Sequence, residues 1–214
     1  MLALFDLDDT LVDRRGGLAV WALGFARSRG LPAGSESVIR ERLGDRARPE
    51  DFVHVRALLG LEDPPEALWR EYVAGMARSA RCFPGVREGL DALRSAGWVL
   101  GVATNGPGDI QRAKLAASDL LSHFHGICVS EEIGVRKPAP EHFETAAALC
   151  GRKFDAECWM VGDNPETDIE GAQAAGLRTA WVANGRTWAG YGREPDIVAP
   201  GVAEAIAMMR QTGS

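Results

Sequence analysis

The sequence predicts an α/β fold, in which a doubly wound, Rossmann-like parallel sheet carries an inserted helical domain. Through most of the 214 residues, short apolar runs alternate with amphipathic stretches that end at Gly or Pro. Such alternation of strands and helices is typical of a parallel sheet with right-handed crossovers. Between residues 18 and 81, in contrast, apolar side chains recur only at helical spacing. This interruption predicts the inserted helical domain.

The first strand is predicted at residues 1–5, where an unbroken apolar run precedes turn-forming residues. A run without alternation is typical of a strand that is buried on both faces. Further apolar runs predict the remaining strands, at residues 98–103, 126–129, 158–161, 179–182 and 197–198. Amphipathic patterns predict the helices of the same domain, at residues 86–96, 109–117, 140–150, 169–175 and 202–210.

The inserted domain follows a predicted loop at residues 13–17. Its apolar spacing indicates about four helices, separated by Gly and Pro residues. We therefore predict two domains. Residues 1–14 and 82–214 form the α/β core, and residues 15–81 form a helical cap.

The composition is that of a globular protein, with 46% hydrophobic residues, 25% charged residues and a net charge of −6. The negative charge argues against a general affinity for nucleic acids or anionic membranes. No apolar run approaches the ~18 residues that a membrane-spanning helix needs. The four cysteines show no CxxC spacing, and no leader pattern precedes the first strand. We expect a reduced, cytoplasmic protein, either a monomer or a homodimer.

Polar side chains stand at or just beyond the ends of four predicted parallel strands. They are Asp6 and Asp8, Thr104 and Asn105, Lys137, and Asp163 with Asp168. Because the carboxyl ends of parallel strands meet at one edge of the sheet, we expect these side chains to lie close together. Carboxylates without soft ligands favour Mg²⁺, and a hydroxyl, backbone N–H groups and a lysine suit a phosphate.

Side chains two positions apart on an extended chain point the same way, so Asp6 and Asp8 should face one crevice and Asp9 should point away. Two neighbouring carboxylates repel each other unless a metal or a proton neutralises them. The pair therefore favours a functional site. Taken without the rest of the chain, it also fits a solvated, acidic strand-to-loop junction.

Four motifs that contain these residues resemble those of the haloacid dehalogenase-like (HAD) superfamily, in its phosphatase branch. The first motif, DxDxT, is Asp6-Leu-Asp-Asp-Thr10, and the second is Thr104 at a strand end. The third is Lys137 before a proline, and the fourth, GDxxxxD, spans residues 162–168. All four occur in order outside the inserted helices, and the insert resembles the C1-type helical cap of this superfamily.

The resemblance implies a Mg²⁺-dependent phosphatase that hydrolyses a small-molecule phosphate monoester through an aspartyl-phosphate intermediate. Asp6 would be the nucleophile, and Asp8 would act as general acid and then as general base. Mg²⁺ would be held by Asp6, Asp163 and the backbone carbonyl of Asp8. Asp168 would support the water shell of the metal.

The same resemblance implies that Thr104, Asn105 and Lys137 bind the phosphate. Haloacid dehalogenases lack a carboxylate at the position of Asp8, so this residue favours phosphoryl chemistry. Two alternatives stay open. A phosphomutase would use the same aspartyl phosphate, and a catalytically idle binding protein would keep the fold alone.

Two further features of the sequence have no assigned role. One is a group of arginines in the predicted cap, which fits a solvated face or contact with a second anionic group on the substrate; its members are Arg40, Arg42, Arg46, Arg48 and Arg56. The other is the glycine-rich loop at residues 184–194, which lacks the GxGxxG pattern of dinucleotide sites and is expected at the rim of the site.

Overall fold

The computed structural model describes residues 1–45, 47–190 and 192–212, and it shows an α/β fold built on a six-stranded parallel sheet. The strands are β1 (Leu2–Phe5), β2 (Val99–Thr104), β3 (Gly126–Val129), β4 (Cys158–Gly162), β5 (Arg178–Val182) and β6 (Ile197–Ala199). Their spatial order is β3-β2-β1-β4-β5-β6. The chain therefore winds outward from β1 in both directions, and the predicted doubly wound fold is confirmed.

The central position of β1 follows from its sequence. All residues of Leu2–Phe5 are buried, which only a strand with neighbours on both edges and layers on both faces achieves. Phe5 lies opposite Val102 of β2 and Val161 of β4, in parallel register. The segments that follow these three strands consequently begin side by side at one edge of the sheet.

Helices cover both faces of the sheet. The helices are α1 (Arg14–Ser28), α2 (Ser35–Leu43), α3 (Asp51–Leu59), α4 (Pro65–Ser79), α5 (Val86–Ser95), α6 (Gly108–Ala117), α7 (Ser130–Ile133), α8 (Pro140–Leu149), α9 (Gly171–Ala174) and α10 (Val202–Thr212). Ala3 and Phe5 belong to the apolar cluster shared with α5, α6 and α10. Leu2 and Leu4 belong to the cluster shared with α8 and α9. Among the described residues, no helix is long and apolar enough to cross a membrane.

The helical insertion lies between β1 and β2, and its first four helices, α1–α4, have an aromatic core of their own. The rings of Trp21 and Tyr72 meet edge to face, with centroids 4.9 Å apart, and Phe52 lies 5.3 Å from Tyr72. Gly75 allows this packing, because a Cβ there would lie 2.0 Å from Trp21. A separate apolar cluster supports a separate cap domain; its boundaries at residues 15 and 81 stay a prediction.

The insertion rests on α6 of the core. Ile110 of α6 belongs to the insertion's apolar cluster. Beside it, Trp69 of α4 donates a hydrogen bond from Nε1 to Asp109 Oδ2 at 2.7 Å. These contacts place the insertion above the edge of the sheet at which β1, β2 and β4 end.

The predicted loop at residues 13–17 is instead the first turn of α1, which begins at Arg14. Asp13 caps the helix, because its Oδ1 accepts the backbone N–H of Gly16 at 2.8 Å and so satisfies a donor that lacks a partner within the helix. Gly16 makes room for the cap, since a Cβ at this position would lie 2.1 Å from Asp13 Oδ2. Gly16, one of the two glycines that suggested a loop, therefore serves the cap.

The segment after β4 also differs from its predicted helix at residues 169–175. A π-helical turn, Pro165–Glu170, comes first, and the short α9 follows it. Asn164 begins the turn, and its side chain accepts two backbone N–H groups at 3.0 and 2.9 Å. The turn brings the Asp168 carboxylate back against the end of β4, where its Oδ2 accepts the backbone N–H of Asn164 at 3.1 Å.

Candidate active site

A cavity of about 300 Å³ opens at the carboxyl edge of the sheet, beneath the insertion. Most of the polar residues that the sequence placed at strand ends line it, namely Asp6, Asp8, Asn105, Lys137, Asp163 and Asp168. Thr104 is buried beside this group but does not line the cavity. The convergence that a parallel sheet predicts is therefore found in the structure.

Three carboxylates form the acidic centre of the cavity. Oxygen atoms of Asp6, Asp163 and Asp168 all lie within 4.8 Å of one another, and all three residues are buried. Burial, together with the neighbouring carboxylates, raises the pKa of Asp6 to about 7 and that of Asp163 to about 8. A group of buried oxygen ligands with unfavourable mutual repulsion fits a hard divalent cation such as Mg²⁺.

Lys137 lies between two of these carboxylates. Its Nζ is 2.7 Å from Asp6 Oδ1 and 2.8 Å from Asp168 Oδ1, and the residue is only 2% exposed. Burial alone would lower the pKa of Lys137, but the charges of Asp168 and Asp6 outweigh it and raise the pKa. The ammonium group is therefore a fixed positive charge beside Asp6.

Asn105 holds the backbone of Lys137 in place. Its Oδ1 accepts the backbone N–H of Lys137 at 3.0 Å, and its Nδ2 donates to the carbonyl of Lys137 at 3.0 Å. Both polar atoms of this amide thus bond to one residue, 32 positions along the chain. The Asn105 side chain orients the lysine within the cavity wall.

Asp8 contacts a different set of partners, which the sequence did not reveal. Lys114 Nζ lies 2.5 and 2.7 Å from its two carboxylate oxygens, and Gln111 Nε2 donates to Oδ2 at 3.2 Å. Burial alone would raise the pKa of Asp8, but the charges of Lys114 and Arg14 outweigh it and hold the pKa below its usual value. The pKa values of Asp6 and Asp8, which are two positions apart, are therefore shifted in opposite directions.

Gln111 also bonds Thr104, which explains why the threonine does not face the cavity. Gln111 Nε2 donates to Thr104 Oγ1 at 2.7 Å. The signal for both partners of Asp8 was present in α6, where Gln111 and Lys114 lie one turn apart, on the same side as the apolar Ile110 and Leu115. Polar residues on a buried helix face need partners, and here Asp8 and Thr104 supply them.

Asp163 is fixed by β5 and by the loop that follows it. Arg186 Nη2 lies 2.9 Å from Asp163 Oδ2 and donates to its carbonyl oxygen at 2.7 Å, and Trp181 Nε1 donates to the same carbonyl at 2.8 Å. The loop at residues 184–194 therefore does reach the rim of the site. Its residue Tyr191 lies outside the described part of the chain.

Asp9 also lines the cavity, although strand alternation predicted that it points away. Its backbone has φ of 55°, so the extended conformation already ends here and the period of two no longer applies. Asp9 Oδ1 accepts the backbone N–H of Arg15 at 3.0 Å, and its carbonyl accepts Nδ2 of Asn184 at 2.7 Å. Asp9 thereby connects the start of the insertion to the loop after β5.

Arg14 connects Asp8 to the insertion. Its guanidinium donates to the carbonyl of Leu43 at 2.6 Å and to that of Gly44, and its Nε lies 3.9 Å from Asp8 Oδ2. Gly44 lines the cavity. The buried Arg14 side chain thus bonds to the C-terminal end of α2 and also lies beside Asp8, the candidate general acid and base.

Four arginines of the group that the sequence indicated in the insertion lie at the surface. Arg40, Arg42, Arg48 and Arg56 are exposed, and Arg46 lies outside the described residues. None of these four lines the 300 Å³ cavity, but Arg48 lines a neighbouring one.

Comparisons with known proteins agree with this geometry. Residues 1–176 match the sequence profile of a family described as haloacid dehalogenase-like hydrolase. The glyceraldehyde 3-phosphate phosphatase of Methanopyrus kandleri is 32% identical over 199 residues, which cover 86% of this chain and 84% of that protein. The phosphoserine phosphatase of Thermus thermophilus is 39% identical over 119 residues, which cover 54% of this chain and 47% of that enzyme, so the match spans about half of that relative.

A solved structure supports the fold. YfnB from Bacillus subtilis, a HAD-hydrolase bound to magnesium, superposes with a TM-score of 0.78 at 24% identity, over 97% of both chains. At this level of identity the likeness concerns the fold alone. The sequence profile, in contrast, covers most of the 214 residues, and on this ground the chain belongs to the haloacid dehalogenase-like hydrolase family.

Proposed function

We propose that this protein is a Mg²⁺-dependent phosphatase that hydrolyses small-molecule phosphate monoesters through an aspartyl phosphate on Asp6. One observation carries the proposal. Asp6 lies beside Lys137 and two further carboxylates, whereas Asp8 forms an ion pair with Lys114. Paired carboxylates in contrasting environments suit a nucleophile and an acid–base group. Both curated relatives are phosphatases, which favours a phosphate ester as substrate.

In the first step, a carboxylate oxygen of Asp6 attacks phosphorus while the bond to the leaving oxygen breaks, and Asp8 gives that oxygen a proton. In the second step, Asp8 takes a proton from the water that attacks phosphorus, and the Asp6–phosphorus bond breaks. Lys114 and Arg14 favour the ionised form of Asp8, which the second step needs. A dianionic phosphate near Asp8 raises the pKa of Asp8 and so favours the protonated form for the first step.

The positive charge of Lys137 offsets part of the repulsion between Asp6 and the phosphate. Mg²⁺, held by Asp6, Asp163 and the backbone carbonyl of Asp8 with Asp168 beside them, would supply the remaining charge stabilisation. Asn105 would serve phosphate binding by orienting Lys137, and Thr104, which does not line the cavity, would act through its hydrogen bond with Gln111.

The predicted division into a core of residues 1–14 and 82–214 and a cap of residues 15–81 is part of the proposal. The cap would exclude water from the cavity and contact the leaving group. Gly44 and Asp45 of the insertion already line the cavity, which supports this role.

The test is hydrolysis of p-nitrophenyl phosphate by the purified protein with Mg²⁺, and then of a panel of metabolite phosphates. Asp6→Asn removes the nucleophile's charge at nearly constant volume and should lower kcat by at least a factor of about 100, or ~2.7 kcal/mol of barrier. Asp119→Asn is the matched control and should keep the full rate, because Asp119 is an exposed carboxylate that does not line the cavity.

Phosphate release by Asp6→Asn within about tenfold of the parent rate would contradict the nucleophile assignment. A mutase would instead return an isomerised sugar phosphate without net phosphate release. A binding protein would bind phosphate esters and release nothing.

A further inference from the structure

Arg186, in the loop after β5, contacts a carboxylate of the active site without lining the cavity itself. Its Nη2 lies 2.9 Å from Asp163 Oδ2 and donates to the Asp163 carbonyl at 2.7 Å. The second carboxylate oxygen of Asp163, Oδ1, takes no part in these contacts. Asp163 is one of the three buried aspartates whose oxygens lie within 4.8 Å of one another. Arg186 therefore holds a candidate metal ligand by one oxygen and leaves the other for a cation.

The position of Arg186 follows from the dipeptide Asn184-Gly185. These two residues have φ of 48° and 79°, and the backbone N–H of Arg186 donates to the carbonyl of Ala183 at 3.0 Å. Two consecutive residues with positive φ are typical of a type I′ turn, for which Asn-Gly is a preferred sequence. The turn reverses the chain directly after β5 and brings the Arg186 side chain back to the ends of β4 and β5.

Further contacts fix the guanidinium group of Arg186. Its Nε donates to the carbonyl of Ala183 at 3.0 Å, and its Nη2 lies 3.3 Å from the carbonyl oxygen of Val182. The guanidinium carbon lies 5.6 Å from the centre of the Trp181 ring. The planar fork of an arginine can meet several acceptors at once, whereas a lysine presents only a point charge. Because the Arg186 side chain is 33% exposed, its replacement does not open the core.

Arg186 has two effects of opposite sign on a cation at Asp163. Its positive charge repels the cation and weakens binding. Its hydrogen bonds hold the carboxylate in one orientation, and loss of such a partner of a metal ligand typically weakens binding by ~10–100-fold. Solvent screens the charge of the partly exposed guanidinium, whereas its contact with the buried Asp163 carboxylate is direct. We therefore expect the orienting effect to exceed the repulsion.

We propose that Arg186 is a positioning residue of the metal site, which holds Asp163 in the orientation that binds Mg²⁺ and so sets the Mg²⁺ affinity of the protein. This inference rests on the metal site of the proposed function and adds a residue that lies outside the four sequence motifs. It also assigns a role to the loop at residues 184–194, whose turn places the arginine.

The experiment is isothermal titration calorimetry of Mg²⁺ into the full chain, which needs no turnover. Arg186→Met keeps the apolar stem of the side chain and removes its charge and its hydrogen bonds, whereas Arg186→Lys keeps the charge and loses the fork. Arg178→Met is the matched control, because Arg178 begins β5, lies 4.1 Å from the centre of the Trp159 ring and does not line the cavity. Asp163→Asn should abolish the heat of binding and so identify the site.

We expect Arg186→Met to raise the Kd for Mg²⁺ by at least about tenfold, and Arg186→Lys, which retains one donor, to give a Kd between those of the parent and Arg186→Met. Arg178→Met should stay within about threefold of the parent. The Mg²⁺ concentration for half-maximal phosphate release should rise by the same factor as the Kd. Circular dichroism checks the fold. If Arg186→Met does not fold, Arg186→Lys has to raise the Kd by at least about threefold.

A smaller increase in Kd, or tighter binding of Mg²⁺ by Arg186→Met, would overturn the inference. So would weaker binding by Arg186→Lys than by Arg186→Met, since repulsion would then outweigh orientation, or an equal loss in Arg178→Met. A parent that binds Mg²⁺ at Asp163 and hydrolyses no ester would contradict the phosphatase function, while the calorimetry would still test Arg186. A parent that binds no Mg²⁺ would overturn the role of Arg186 and the metal requirement together.

Discussion

Replacement of Lys114 by methionine tests whether Asp8 depends on a partner 106 residues further along the chain. Lys114 is 2% exposed, and its ammonium group contacts both carboxylate oxygens of Asp8. Methionine keeps most of the side-chain volume and removes the charge. The variant therefore leaves the half-buried carboxylate of Asp8 with weaker partners, while the apolar packing around α6 changes little.

The expected loss of stability follows from the contacts that stay. Removal of one partner from a buried ion pair typically costs ~3–5 kcal/mol. Asp8 keeps Arg14 at 3.9 Å and Gln111 at 3.2 Å, so we expect the low end, about 3 kcal/mol. In Lys114→Met combined with Asp8→Asn the unpaired charge is absent, and the two changes should therefore show a coupling energy of at least ~1 kcal/mol.

The assay has a thermodynamic and a kinetic part. Urea unfolding of the parent, both single variants and the double variant gives the coupling energy. Steady-state kinetics then compare an alkyl phosphate, whose leaving oxygen needs a proton, with p-nitrophenyl phosphate, whose leaving group departs without one. If Lys114 orients Asp8 for proton transfer, Lys114→Met should lower kcat for the alkyl ester by about tenfold or more beyond the effect on the aryl ester.

Two results would refute this reasoning. A stability loss below about 1 kcal/mol would mean that the buried pair is not a strong interaction. An equal change of kcat on both esters would mean that Lys114 supports the fold without positioning the proton donor. Lys114→Arg, which keeps the charge in a larger side chain, should restore part of the difference between the esters if positioning is its role.

Four further predictions concern the metal, the acid, the insertion and pH. Activity should vanish in EDTA and return with Mg²⁺, while Ca²⁺, with its looser coordination shell, should inhibit; full activity after chelation, measured by phosphate release, would exclude the metal role of Asp163. Asp8→Asn should slow alkyl ester hydrolysis by ~10²–10⁴-fold, and quenched-flow labelling should detect phosphoenzyme if the second step suffers more. Replacement of residues 15–81 by a short linker should leave some p-nitrophenyl phosphatase activity and abolish the ranking of metabolite phosphates; an unchanged ranking in a folded product would show that the insertion does not select the substrate. Finally, burial lowers the pKa of His142 to about 4, so the folded protein binds fewer protons there than the unfolded chain, whose pKa is about 6.5. This contribution to stability is complete above about pH 6.5 and is lost as the pH falls towards 4, and His142→Gln should flatten the dependence of the urea midpoint on pH in that window.

His142 illustrates how a local contact sets such a shift. The residue is fully buried, and its Nδ1 lies 2.9 Å from the carbonyl of Val135, so the neutral ring donates its proton there. Its Nε2 has no partner among the described residues. A second proton would have to reside on this buried nitrogen without an acceptor, which is why burial disfavours the charged form.

The sequence by itself determined the sheet and the place of the chemistry. Buried parallel strands must be apolar throughout, so runs such as residues 1–5 identify strands without reference to the rest of the chain. The carboxyl ends of such strands share an edge, so the positions of Asp6, Lys137 and Asp163 in the sequence already place them together. Local sequence was misleading at residues 13–17, where the glycines predicted a loop. In the structure Asp13 caps helix α1, which begins at Arg14.

Only the tertiary structure decided which partners these residues have. Asp8 pairs with Lys114 and Asp163 with Arg186, across 106 and 23 positions, because helix packing and the path of the loop after β5 bring them together. No local period encodes such distances, since the partner of a buried charge depends on which side chain the packing leaves within reach.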